Sequence, residues 1–407
     1  MPSLLSNAAV RKRTTVLVAS LLFILIGTGS VYFIVVALKQ MAAEFGWSRS
    51  VPSIAYGLSY FGAGIGGVFM GLWLDRRGMA IPAFVGASMI GLGAILTSLV
   101  TSQWELFLIY GAMFGFFGRS VLFAPLTANI TRWFEDKKSL AVGIVVSGQG
   151  LAGMLWPQVF HYLILAVGWR QTAFIYGLIA LATMLPLALV LSQKAPAPKE
   201  EPKSPRSSAG PEPSWHSWSA IQVSLSTASV GCCVAMSLPL THIVSHVSDL
   251  NFDPTRGAEI LSLMFACAVI SSFFGVGFIA GRYGGLRALF TFSSIQALLL
   301  TALIFVDSLP GLYVAAALFG FGYGGILPCY PVIVRELLPS AEAGRRTGLI
   351  LLCAGMGMAF GSWLGGYIFD LTGSYRLAFL IGVVFNLGNL AIIVSLLIRT
   401  SSRPLVS

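Results

Sequence analysis

The chain has 407 residues, of which 56% are hydrophobic and only 10% are charged. A soluble globular protein carries about 25% charged residues, so too few remain here to cover a water-exposed surface. This composition excludes intrinsic disorder, a coiled coil and an ordinary soluble enzyme, and the meaning of the formal net charge of +10 depends on where the charges lie.

Apolar runs long enough to cross a lipid bilayer recur along the chain. A transmembrane helix needs about 20 apolar residues, and in lipid its backbone polar groups must be satisfied within the helix. The first run follows Arg11, Lys12 and Arg13, and it is longer than the 7–15 residues of a signal-peptide core, which favours an uncleaved first span. We predict twelve helical spans, near residues 14–38, 51–74, 81–102, 104–130, 140–166, 171–192, 219–247, 257–280, 288–307, 311–334, 347–369 and 377–398.

The composition changes abruptly between the sixth and seventh spans. Residues 193–218 are rich in Pro, Lys, Glu and Ser and contain no aliphatic side chain larger than Ala. Such a segment cannot bury a core. We therefore predict a cytoplasmic linker at 193–218 that joins an N-terminal six-helix half (1–192) to a C-terminal six-helix half (219–407).

The basic residues predict the orientation in the membrane. Placing the N-terminus in the cytoplasm puts 19 of the 25 Lys and Arg residues in cytoplasmic segments and five outside. Cytoplasmic loops carry such an excess of Lys and Arg, so we expect both termini to face the cytoplasm, in a cell membrane such as the bacterial inner membrane. The net charge is then a consequence of topology, and a nucleic-acid partner is not expected.

The two halves are related by an internal repeat with an offset of about 206 residues. The pairs Trp169-Arg170 and Tyr375-Arg376 occur at equivalent places before spans 6 and 12. Two loops, after spans 2 and 8, fit the pattern G-x-x-x-[D/G]-R-x-G. Their repeated positions are Gly71, Asp75, Arg76 and Gly78, and Gly277, Gly281, Arg282 and Gly284. Parallel six-span repeats are typical of transporters whose site lies between the halves.

These loops resemble the signature loop of the major facilitator superfamily. Three further stretches are similar to the monocarboxylate and oxalate/formate branch, namely 45–50 (FGWSRS), 132–143 and 365–375. The resemblance implies an all-α membrane fold of twelve transmembrane helices, with spans 1, 4, 7 and 10 around a central cavity. It also implies that Asp75, neutralised by Arg76, latches the halves at the inner gate.

The sequence departs from that branch at positions that bear on its chemistry. Animal monocarboxylate carriers hold a lysine midway along span 1, where this chain has Tyr32. They also hold an Asp/Arg pair in span 8, which this chain lacks, and span 11 has no buried lysine of the kind expected in an oxalate exchanger. The resemblance alone therefore does not define the substrate or the coupling.

Arg119, near the middle of span 4, is the one basic residue predicted to lie deep in the membrane. A charge there costs about 2.5–3.5 kcal/mol on the insertion scale and needs a partner or a water-filled cavity. Each of the 15 carboxylates falls at a span end or in a loop, so an anionic substrate is favoured as the partner of Arg119. The alternative is that Arg119 binds backbone carbonyls and only holds helices together.

Several further side chains are candidates for binding or coupling. The hydroxyls of Tyr32, Tyr323 and Tyr330 could bind a carboxylate, or the rings could simply pack. His242 and His246 lie four residues apart, on one face of span 7, and an imidazole that titrates near pH 6.5 suits a proton relay. Their alternative role is interfacial hydrogen bonding.

The sequence favours a secondary active transporter that moves a small organic anion, above all a monocarboxylate, by alternating access with proton coupling or exchange. We expect a monomer in the lipid bilayer, with no cofactor. We also expect no metal site, because the five cysteines lie in apolar stretches without metal-ligand spacing. The alternative is an exporter of drugs or other small molecules. A membrane sensor or an intramembrane enzyme is disfavoured because H-E-x-x-H and G-x-S-x-G motifs are missing.

Overall fold

The computed structural model describes residues 2–134, 138–193, 215–272, 276–339 and 342–401. Within these ranges the regular secondary structure is helical and contains no strand. Most of the predicted linker, residues 194–214, lies outside the described residues. The prediction of an all-α membrane protein is confirmed.

Twelve spans, numbered in chain order, make up the described structure. They are α1 (Pro2–Phe45), α2 (Ser50–Arg77), α3 (Ala80–Ser98), α4 (Gln103–Leu108, Ile109–Arg119, Ser120–Leu122 and Ala124–Trp133), α5 and α6 (together Lys138–Leu191), α7 (Trp215–Asp249), α8 (Pro254–Ile270 and Val276–Tyr283), α9 (Gly285–Phe305), α10 (Leu309–Gly324 and Ile326–Leu337), α11 (Ala343–Thr372) and α12 (Arg376–Ser401).

Ten of the described helices are long and apolar enough to cross a membrane. The number of spans rises to twelve for two reasons. Lys138–Leu191 bends at Gly168, whose φ of 82° is incompatible with a continuous helix, and this bend separates α5 (138–167) from α6 (169–191). In addition, α8 consists of two helical pieces on either side of residues 273–275.

The repeated loops adopt the same backbone turn in both halves. Gly78 follows α2 with a φ of 76°, and Gly284 follows α8 with a φ of 86°. Side chains other than glycine rarely adopt positive φ because their Cβ clashes with the backbone. The last glycine of the sequence repeat is therefore required by the turn itself.

The two halves meet along two helix pairs, α2 with α11 and α5 with α8. A Cβ added to Gly57 of α2 would lie 2.8 Å from the carbonyl oxygen of Ala359, and one added to Gly153 of α5 would lie 2.3 Å from the ring of Phe265. Small residues allow helix backbones to approach this closely in membranes.

Candidate substrate site and gates

Arg119 lies in the distorted middle of α4. The segment Ile109–Arg119 is a π-helix, and a break at Phe123 follows one short helical turn. Pro125 contributes to the break because it has no N–H to donate to the carbonyl of Val121. Since π-helical turns are frequent at functional sites, the distorted backbone and the charge of Arg119 mark the same part of α4.

Glycines bring the backbone of α2 directly against this π-helix. A Cβ added to Gly62 would lie 2.2 Å from the carbonyl oxygen of Gly111, and one added to Gly66 would lie 2.1 Å from that of Phe116. The close approach places Tyr60 of α2 beside Arg119, whose Cζ lies 4.0 Å from the centroid of the Tyr60 ring.

Arg119 has no anionic partner within the described part of the chain. Its Nη1 atom is buried without a hydrogen-bond partner, and none of the described ion pairs includes it. A desolvated cation–π contact is worth about 2 kcal/mol, against an insertion cost of about 2.5–3.5 kcal/mol for a central arginine. The contact with Tyr60 therefore offsets only part of the cost, and because Arg119 is only half-buried, water or a bound anion can supply the rest.

Tyrosines of the first half lie near Arg119, and ring contacts link one of them to the second half. Tyr32 of α1 and Tyr56 of α2 lie within electrostatic reach of its charge. The Tyr32 ring meets the edge of the Phe265 ring from α8, with 4.8 Å between centroids, and Phe265 in turn lies 6.1 Å from Tyr323 of α10. The hydroxyl of Tyr323 is buried without a hydrogen-bond partner. The structure thus brings three of the four predicted binding residues, Arg119, Tyr32 and Tyr323, into one region.

Tyr330, the fourth predicted binding residue, has different neighbours. Its hydroxyl lies 3.4 Å from Sγ of Cys232, and its ring is fully buried in the piece of α10 that follows the break at Gly325. No described contact joins it to Arg119, Tyr32 or Tyr323. Packing, the alternative raised from the sequence, accounts for the observed environment of Tyr330.

His242 and His246 lie on α7, away from Arg119, and their side chains face α11 and α12. Nε2 of His242 lies 2.9 Å from the carbonyl oxygen of Ser362, to which it can donate, and its ring stacks on Tyr375 at 4.8 Å. Nε2 of His246 is buried without a partner. His246 lines a cavity of about 170 Å³ together with Asp249, Tyr375 and Arg376, among others.

Sequence reasoning missed the cluster around Arg49, which joins the halves at one end of the bundle, called the Arg49 end below. The Arg49 guanidinium donates to both carboxylate oxygens of Asp249 at the end of α7 and to the hydroxyl of Tyr375 at 2.9 Å. Its Cζ lies 3.6 Å from the centroid of the Phe369 ring. The Asp370 carboxylate accepts a hydrogen bond from the Arg49 N–H at 2.7 Å.

Two groups of the Arg49 cluster, the guanidinium of Arg49 and the phenol of Tyr375, have raised pKa values. Burial opposes the guanidinium charge, but the hydrogen bonds to Asp249 and Tyr375 raise the pKa of Arg49 above its ordinary value. Burial raises the pKa of Tyr375 to about 12, although the nearby guanidinium acts in the opposite direction. The FGWSRS stretch singled out Arg49 as a matched position, but nothing in the sequence pointed to its partner some 200 residues away.

The other hydrogen bonds between the halves also lie towards the Arg49 end. Lys39 of α1 pairs with Asp249 at 2.9 Å, and Nε2 of His161 on α5 lies 3.0 Å from the Thr255 hydroxyl at the start of α8. The Ser362 hydroxyl of α11 donates to the carbonyl oxygen of Ser53 on α2 at 2.8 Å. The described residues show no hydrogen bond or ion pair between the halves at the opposite end.

That opposite end, which carries the repeated loops, is called the Asp75 end. Asp75 pairs with Arg132 of α4 at 2.8 Å rather than with the expected Arg76, and both partners are exposed. In the second half Arg282 lies 5.7 Å from the Tyr283 ring, while Gly71 and Gly281 have open space at the position of a Cβ. The latch role expected for Asp75 stays a prediction. No group of three or more potential metal ligands occurs among the described residues.

Comparison with known proteins gives consistent results. A family model described as Major Facilitator Superfamily matches residues 18–246 and 223–406. Monocarboxylate transporter 13 from Rattus norvegicus is 25% identical over 391 residues, which cover 93% of this chain and 86% of the relative. Monocarboxylate transporter 11 from Homo sapiens is 27% identical over 329 residues, which cover 77% and 68%. The solved structure of a bacterial homolog to the human lysosomal transporter Spinster, inward-facing and occupied, matches with a TM-score of 0.75 at 15% identity, over 94% of this chain and 96% of that chain.

The family matches extend from residue 18 to residue 406, and the fold agrees with them. The relatives confirm the predicted resemblance to the monocarboxylate branch. The chain is therefore an integral, multi-pass membrane transporter rather than an enzyme, and it belongs to the Major Facilitator Superfamily.

Proposed function

We propose that this transporter moves a small organic anion, above all a monocarboxylate, by alternating access. The observation that carries the proposal is the half-buried guanidinium of Arg119, whose Nη1 atom is buried without a hydrogen-bond partner and which has no carboxylate in ion-pairing distance among the described residues. An anion that binds Arg119 would neutralise the charge during passage. The names of the monocarboxylate transporters among the relatives agree with this substrate class.

The distribution of contacts supports a state that is closed at the Arg49 end. The positive-inside rule assigns the Asp75 end to the cytoplasm. We therefore infer that the Arg49 cluster is the outer gate and that the state closed at this end is an inward-facing one. Both termini and the linker are then cytoplasmic, the halves at 1–192 and 219–407 rock about Arg119, and the loops with Asp75 and Gly281 form the inner gate. One chain carries the whole site, so it works as a monomer in a cell membrane, such as the bacterial inner membrane.

Protons are the second component of the proposal, with exchange of two anions as the alternative mode. No described carboxylate lies beside Arg119 to act as a relay. Of the two candidate histidines, His246 is the better placed because it lines the cavity at the Arg49 end and its Nε2 is unpartnered. His242 already has a partner in the Ser362 carbonyl.

Uptake into proteoliposomes tests the anion proposal. Labelled lactate, pyruvate and benzoate should enter vesicles that contain the parent protein, and Arg119→Ala should abolish saturable uptake while Arg119→Lys retains part of it. Arg256→Ala, which removes an exposed arginine from its pair with Glu259, is the matched control and should transport normally. Full activity in Arg119→Ala would contradict the proposal.

The aromatic rings of Tyr32, Phe265 and Tyr323 favour a second candidate function, export of apolar or cationic compounds. Such compounds bind to aromatic surfaces, and their binding does not require Arg119. Saturable transport of a lipophilic cation, undiminished in Arg119→Ala and not inhibited by carboxylates, would support the exporter and exclude the anion carrier.

A further inference from the structure

Tyr60 is the side chain on which the Arg119 guanidinium lies. The separation of 4.0 Å between Cζ and the ring centroid is close contact for a cation–π pair. The face of an aromatic ring attracts a cation through its quadrupole and occupies none of the five N–H donors of a guanidinium. A carboxylate at the same place would neutralise Arg119 and compete with an anionic substrate. Tyr60 therefore stabilises the charge and leaves the donors free.

Tyr60 is contacted through its ring by Tyr56 and through its backbone by α11. One turn earlier on α2, the Tyr56 hydroxyl donates to the Tyr60 hydroxyl at 3.2 Å, and the ring centroids lie 5.1 Å apart. On the opposite side of the interface, a Cβ added to Gly355 of α11 would lie 3.4 Å from the Tyr60 carbonyl oxygen. Gly57, three residues before Tyr60, is packed even more tightly against α11. The backbone of α2 thus has little freedom at Tyr60.

We propose that Tyr60 is a positioning residue for substrate binding: its ring face fixes the Arg119 guanidinium without using any of its N–H donors, so that these donors remain for the carboxylate of the substrate. The inference rests on the proposed anion transport and deepens it. Tyr60 acts through Arg119 and through the electrostatics of its ring. The packing of the Tyr56 ring against the ring at position 60 remains when the hydroxyl is removed, so the ring is required and the hydroxyl is not.

The test measures KM and maximal rate of carboxylate uptake for variants at position 60. Tyr60→Phe keeps the ring face and should keep KM within about twofold, whereas Tyr60→Leu should raise KM about tenfold with a smaller change in maximal rate. Phenylalanines with increasing fluorination at position 60 retain the shape but weaken the quadrupole, so KM should rise stepwise with fluorine number. Tyr162→Leu, at a tyrosine that is 73% exposed, is the matched control.

The outcomes separate the two proposals. If Arg119→Ala transports carboxylates as the parent does, the anion proposal itself fails. If Arg119→Ala is impaired but KM is insensitive to fluorination at position 60, only the role of Tyr60 is overturned. A raised KM in Tyr60→Phe overturns it as well, and the fluorinated series gives a result even where Tyr60→Leu does not fold. In an Arg119→Lys background with residual uptake, KM should depend on fluorine number with a different slope than in the parent background, because the ammonium contacts the ring differently from the guanidinium.

Discussion

The Arg49 cluster predicts that one substitution will open the end of the bundle that the structure shows closed. Arg49 donates two charge-assisted hydrogen bonds to Asp249 and one to Tyr375, and it covers the ring of Phe369. Breaking a buried ion pair by removing one partner costs about 3–5 kcal/mol. Asp249 is 21% exposed and keeps its pair with Lys39, so we expect a loss of about 2–3 kcal/mol in Arg49→Ala. This corresponds to a shift of about 30- to 150-fold towards the state open at this end.

Distances between spin labels across the gate measure this shift. Labels at Ala43→Cys on α1 and Thr372→Cys on α11, in a background without the five native cysteines, report the separation of the halves at the Arg49 end. The parent should show one short distance, and Arg49→Ala should add a longer one. Arg170→Ala is the matched control because Arg170 pairs with Glu44 inside one half. An unchanged distance distribution in Arg49→Ala, or equal opening in Arg170→Ala, would refute the reasoning.

Three further predictions concern packing, pH and coupling. Gly66→Ala places a Cβ 2.1 Å from the Phe116 carbonyl oxygen and should lower the free energy of unfolding by about 1–3 kcal/mol, which is seen as a lower thermal unfolding temperature in detergent. Gly67→Ala is the control, because its Cβ would lie in open space, and it should leave the unfolding temperature unchanged. Burial raises the pKa of Tyr375 to about 12, so its phenol stays mostly neutral at about pH 10.5, where an ordinary tyrosine with a pKa of about 10 is mostly ionised. Tyr375→Phe should therefore weaken the gate by about 1 kcal/mol, and by the same amount at about pH 7 and about pH 10.5; a different effect at about pH 10.5 would show that Tyr375 titrates with an ordinary pKa. If His246 carries the proton, His246→Phe should abolish accumulation driven by a pH gradient and spare exchange of labelled for unlabelled anion; retained accumulation in this variant would exclude His246.

Local chemistry made the fold predictable from the sequence. Apolar runs of spanning length can only be helices in lipid, and the repeated loop required its last glycine, as the positive φ of Gly78 and Gly284 shows. The isolated charge of Arg119 was recognisable because arginine is rare and costly within a span. Each of these features depends on a residue and its immediate neighbours along the chain.

Contacts between distant parts of the chain were not predictable in the same way. Arg49 meets Asp249, 200 residues away, and Asp370, 321 residues away, and a single sequence carries no signal for such pairs. Tyr60 was overlooked because its importance depends on the glycines that bring α2 against the π-helix of α4. The place of Tyr330 on span 10 suggests a position near Arg119, but Tyr330 lies in the separate helical piece after Gly325, where its hydroxyl contacts the sulfur of Cys232.

Direct binding to the purified protein tests the central claim, that Arg119 is an unpaired cation which binds the carboxylate of a substrate. Isothermal titration calorimetry with whichever of lactate, pyruvate and benzoate gives the strongest uptake should show saturable binding to the parent. Binding should be weaker in Arg119→Lys, absent in Arg119→Ala and unchanged in the control Arg256→Ala. Binding of equal affinity to Arg119→Ala and to the parent would contradict the account.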